Sequence, residues 1–114
     1  MQHYKSIEQL IEDYENLSDT GRIYMEGSKK NAWNTSQFWV ISSEEAIEQD
    51  VVETQYGSVP ESLVEFKVKN FLDVGTFQAI IENKFDHDST LSTKNVDILI
   101  EAIDHYLEYD DFLD

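Results

Sequence analysis

The chain has no cysteine, one proline (Pro60), four glycines, three histidines and only eight lysines and arginines. Without cysteine, no disulfide framework, thiol nucleophile or thiolate metal site can be built. The glycines, Gly21, Gly27, Gly57 and Gly75, assemble no phosphate-cradling loop, and no serine sits in a GxSxG elbow. No run approaches the ~20 apolar residues of a membrane span. The opening "MQHYKSIEQLIEDY" lacks the apolar stretch of roughly 7 to 15 residues that a signal peptide needs, so a soluble cytoplasmic protein is the expectation.

The shortage of cations is set against 24 aspartates and glutamates, giving a net charge of −16 and a pI near 4.2. Such a field repels phosphate backbones and anionic headgroups, which argues against direct contact with nucleic acid or membrane. It keeps the chain soluble, and it also attracts basic partners and speeds their encounter. With 114 residues, 40% hydrophobic and 12% aromatic, the chain is too apolar for a disordered acidic tail and has the length of one domain, 1–114.

Hydrophobic spacing predicts an α+β fold: a small antiparallel sheet of about three strands packed with three to four helices, the last amphipathic. "SIEQLIEDYENL" (6–17) places Ile7, Leu10, Ile11 and Tyr14 on one helical face, with Ser6 and Gln9 as a capping box. "RIYM" (22–25) and "QFWVI" (37–41) read as antiparallel strands, with Trp33 and Trp39 adding core area. Arg22, Lys29 and Lys30 make this the only net-positive stretch. Residues 43–66 carry seven acids and no base, and read as an acidic helix or loop excursion broken around Pro60, then a short helix over 61–65. A third strand is expected near 66–72. Asp73 should cap a helix over 74–85 with Phe77, Ile80, Ile81 and Phe85 inward, and Ser92 or Thr93 should start a final helix with Val96, Leu99, Ile100, Ile103 and Leu107 inward.

Motifs for catalysis and metal binding are weak. In "DHDSTLST" the triplet Asp86, His87 and Asp88 could form a weak divalent site or serve a small hydrolase, yet adjacent loop residues seldom converge on one ion, and Leu91 stands where an EF-hand needs glycine. His3 is terminal, His87 is expected in a loop, and His105 lies among acids on the last helix. No catalytic residue, cofactor or metal is expected, and the chain reads as a non-enzyme.

The informative feature is the acidic end, "EAIDHYLEYDDFLD". Seven of the last 18 residues are acidic and none is basic. A helix C-terminus prefers cations, so exposed acids there cost roughly 0.3–1 kcal/mol each. Folding gives no reason for that choice, whereas binding a cationic surface does. Asp97, Glu101, Asp104 and Glu108 follow spacings of 4, 3 and 4 and line one face. The candidate partner-binding residues are Glu101, Asp104, Glu108, Tyr109, Asp110 and Asp111, with Glu44, Glu45 and Glu48 as a second patch. Aromatics beside charge, as at Tyr109, suit interface anchors.

"NFLDVGTFQAIIENKF" and "LIEAIDHYLEYDDFLD", with Phe71, Leu72, Asp73, Glu101, Ala102, Tyr106, Asp110 and Phe112, resemble small bacterial immunity proteins encoded beside polymorphic or contact-dependent growth-inhibition toxins. "SIEQLIEDYENL" and "IYM" are similar to the start of such domains. Residues 26–66 match weakly, and Leu107 stands where many members have a second aromatic. The resemblance implies stoichiometric neutralisation of a cognate toxin domain, here a basic one such as a nuclease, and brings no catalytic residues. The alternative is a nucleic-acid mimic that inhibits a DNA-binding protein.

Overall fold

The computed structural model describes residues 1–18, 20–26 and 36–112. Trp33, Lys29 and Lys30, expected to supply core area and positive charge, lie outside the described residues. The chain is α+β: a four-stranded antiparallel sheet, a two-stranded hairpin, four α-helices and two 3-10 segments among the described residues.

β1 (Gln2–Tyr4), β2 (Gly21–Glu26), β3 (Phe38–Ser42) and β6 (Val68–Asp73) form the sheet in the order β1-β3-β2-β6. The predicted strand pair is present, with Tyr24 opposite Trp39 and Met25 opposite Phe38. β1 is an addition that three residues of sequence do not announce; it sets His3 opposite Trp39.

All of Phe38, Trp39, Val40 and Ile41 are buried, because β3 is an inner strand with an apolar layer on each side. Alternation sends Phe38 and Val40 to the larger core, with Ile23 and Met25, and sends Trp39 and Ile41 to the smaller one, with Tyr24. β6 follows the same alternation until a bulge. Leu72 pairs with Ile23 and Asn70 with Tyr24, so Phe71 is the extra residue, and both Phe71 and Leu72 reach the larger core.

Helices cover that larger core. Ser6 caps α1 (Ile7–Glu12) by accepting the Gln9 N–H at 3.2 Å, and Gln9 accepts the Lys5 N–H at 2.9 Å. The helix then tightens to a 3-10 turn at Tyr14–Asn16. α3 (Val74–His87) buries Val74, Phe77, Ile80 and Ile81, and α4 (Val96–Tyr109) buries Leu99, Ala102 and Ile103 against it. α4 starts after Asn95 rather than at Ser92 or Thr93, because Asn95 Oδ1 accepts the Ser92 N–H in a turn. Leu107, expected inward, is 40% exposed, and Tyr106 packs on the core instead.

The acidic excursion differs most from expectation. After the short α2 (Ser43–Ile47), residues 51–60 form a hairpin, β4 (Val51–Thr54) with β5 (Gly57–Pro60). Gln55 and Tyr56 make its turn, Gly57 takes φ +115°, and Thr54 Oγ1 donates to the Gly57 carbonyl at 2.8 Å. No Asn-Gly or Asp-Gly pair signals this turn in the sequence. A 3-10 segment, Glu61–Phe66, buries Leu63 beside Val59 and completes the smaller core. No helix among the described residues is long and apolar enough to cross a membrane.

Two glycines test this packing with opposite signs. A Cβ on Gly21 would meet the Ile41 carbonyl oxygen at 2.5 Å, whereas one on Gly75, exposed in the first turn of α3, meets nothing within 4 Å. Gly21→Ala should lower stability by about 1–3 kcal/mol. Gly75→Ala should raise it by about 0.5–1 kcal/mol. Urea midpoints of the two variants against the parent chain check both signs.

Candidate functional site

α4 carries the predicted acidic face, and the structure sharpens its geometry. At 100° per residue, Asp97, Glu101, Asp104 and Glu108 fall within an arc of roughly 60°. All four are exposed, and no ion pair engages them among the described residues. Between this stripe and the buried face of Leu99, Ala102 and Ile103 runs a second stripe, Ile98, His105 and Tyr109. Ile98 is 38% and Tyr109 62% exposed, and the His105 and Tyr109 rings lie 4.7 Å apart. Sequence periodicity located the acids; it did not separate this neighbouring stripe, because Ile98 and His105 read equally well as edge-of-core residues.

The end of α4 is held in a conformation that favours glycine. Asp110 is the C-cap with φ +56°, its N–H bonded to the Tyr106 carbonyl at 2.8 Å. An acid therefore occupies a left-handed position at the negative end of the helix dipole, where glycine or a cation would be more stable. Asp111 follows, exposed, and Phe112 turns back so that its ring lies 5.4 Å from Tyr106. Carboxylates thus extend the stripe past the last helical turn, with Tyr109 as the exposed ring among them.

The second predicted patch divides. Glu44 and Glu48 are exposed on and just after α2. Glu45 is committed to the fold: it completes a capping box with Ser42, donating its N–H to Ser42 Oγ at 3.2 Å and accepting the Ser42 N–H at 3.3 Å. Its other oxygen lies 2.6 Å from the α-amino group of Met1. That hydrogen bond, chiefly, and those of Ser42 hold its carboxyl below the usual value.

Nor do the two acidic patches share a layer. α4 rests on the larger core, while Ala46 of α2 lines a cleft with Tyr24 and Ile41, on the other side of the sheet.

The remaining histidines show no converging chemistry. His87 is in the last turn of α3, not in a loop, and its Nδ1 bonds the Asn83 carbonyl at 2.8 Å. Asp88 turns to Thr90, accepting from its N–H at 3.0 Å and its hydroxyl at 2.6 Å, and these bonds lower its pKa. The triplet of Asp86, His87 and Asp88 therefore splits between a helix end and a turn. No group of three His, Asp or Glu is placed to hold a metal among the described residues. His3 instead stacks on Trp39 at 4.9 Å, and Trp39 on Phe66 at 5.2 Å, a ladder that only the strand register creates.

Replacing Asp110 with glycine should raise stability by about 1 kcal/mol, by removing both the left-handed strain and the charge. Glu45→Gln should lower it by about 1 kcal/mol or less. Because the Glu45 pKa is depressed from 4.5, this contribution is present above that pH and lost as pH falls through the folded-state value. Denaturant titrations of Glu45→Gln and the parent at pH 7 and pH 3 should show the difference only at the higher pH. No family model matches the chain, and no curated protein or solved structure shows significant similarity to it.

Proposed function

We propose that this chain is a cytoplasmic immunity-type protein, without chemistry of its own, that binds and neutralises a cognate basic toxin domain, a nuclease, by stoichiometric complex formation. The observation that carries the reading is the exposed carboxylate stripe of α4 beside the Ile98, His105 and Tyr109 stripe. An interface needs apolar anchors that exclude water, with charges around them that steer and select. A nuclease must present cations to phosphate, and carboxylates at a helix end can occupy that surface or the ground beside it. The left-handed Asp110 and the lack of any cation in the last turn of α4 support selection for charge at the expense of helix stability. The resemblance of the two terminal stretches to immunity proteins supports the same role.

Co-expression with the C-terminal part of the upstream neighbour's product tests the reading. Cancelled toxicity and a one-to-one complex that weakens with salt are expected. Changing Glu108, Asp110 and Asp111 together to lysine should weaken the complex at least tenfold and flatten its salt dependence, with a melting temperature unchanged or higher. Full protection by that triple variant at physiological salt would remove α4 as the surface. Retention of unrelated DNA-binding proteins in place of the neighbour would move the reading to a nucleic-acid mimic.

A further inference from the structure

The acidic excursion covers the smaller core incompletely. Val52 of β4 and Val64 of the 3-10 segment are only half-buried and line an open groove of about 700 Å³, together with Gln49, Glu61, Ser62 and Glu65. Gln49 ties its sides together: its side-chain amide donates to the Glu45 carbonyl at 3.0 Å, and its Oε1 accepts the Ser62 N–H at 2.8 Å. Beside it, the Asp50 carbonyl accepts the Glu61 N–H at 2.9 Å. The groove is thus braced rather than formed by loose side chains. The same excursion exposes Ile47 (83%) and Val51 (67%), more than any other large apolar side chain among the described residues.

We infer that this groove is a docking site for a basic protein segment that seats one apolar side chain between Val52 and Val64 while its lysines or arginines meet the surrounding carboxylates. Charge identifies the occupant. Residues 43–66 hold seven acids and no cation, and Glu61 and Glu65 stand at the groove itself. A second copy of a chain with net charge −16 brings mostly like charge to this rim. The inference rests on the reading of the chain as a binder of a basic partner, and adds a seat for that partner's apolar anchor on the side of the sheet away from α4.

The test uses the full-length chain, isotope-labelled for amide NMR, and two synthetic probes: blocked pentapeptides with leucine or alanine between two pairs of lysines. The leucine peptide should shift the amides of Val52, Ser62 and Val64 and bind about tenfold tighter than the alanine peptide, as burial of the extra apolar surface requires. Val64→Glu should abolish that preference although it adds negative charge, which separates apolar seating from bulk attraction. Equal binding of the two peptides, shifts centred on 101–111, or self-association through Val52 and Val64 would each overturn the groove.

If Val64→Glu fails to fold, the comparison of the two peptides on the parent chain decides alone. Because the probes need no toxin, the two readings fail separately. Leucine selectivity without toxin neutralisation removes the immunity role and leaves the groove. Neutralisation without leucine selectivity removes only the groove.

Discussion

The two-sided burial of β3 is the constraint on which the rest of the structure depends. A strand reading Phe38, Trp39, Val40, Ile41 presents large apolar groups to both faces of its sheet, and each side chain removed from water contributes roughly 1.5–3 kcal/mol. Neither face can then be left open. The first is closed by α1, α3 and α4, whose buried residues join Phe38 and Val40 in one core; the second is closed by the β4–β5 hairpin and the 3-10 segment through Val59 and Leu63. The helical cover is the larger and more complete. The second is assembled from short elements within a single excursion, and it leaves Val52 and Val64 at an opening.

Charge is distributed to suit that layering. Carboxylates are costly to bury, so the many acids of this chain must lie on the outer surfaces of the covering elements. α4 and the 43–66 excursion, which lie on opposite sides of the sheet, carry most of them. Arg22 stays at the sheet, its guanidinium 3.9 Å from Asp73 and 3.4 Å from the Asn70 side chain. A partner using both acidic surfaces must therefore reach around the edge of the sheet. One using either alone meets a braced apolar feature within it, the Ile98, His105 and Tyr109 stripe in one case and the Val52 and Val64 groove in the other. Acidity supplies the attraction in both places, and the apolar features supply what charge cannot, a fixed register.

Legibility differed between the ends of the chain and its middle for a physical reason. Where one element buries one face against one core, as in α1, α3 and α4, its periodicity is written in the sequence, and Ser6, Phe77, Ile81 and Ile103 could be placed from spacing alone. Residues 51–60 bury little, with only Val59 and Pro60 of the hairpin inside, so no alternation marked them as strands, and the turn uses Gln55 and Tyr56 without a favoured pair. Leu107 was misplaced because a helix end leaves the core before its apolar pattern stops.

The sequence by itself determined that the chain folds, that it is α+β, that three of its helices present apolar faces, and that Asp97, Glu101, Asp104 and Glu108 share one side of the last. Those properties follow from side-chain spacing and composition, which are local. Only the tertiary structure decided that Glu45 serves a helix cap and the terminal amine instead of a partner, that His87 and Asp88 diverge, that the two acidic patches lie on opposite sides of a sheet, and that Gln49 braces an apolar groove. Each of these depends on which distant residues the strand register and the second layer bring together, and that pairing is fixed by the closing of both faces of β3.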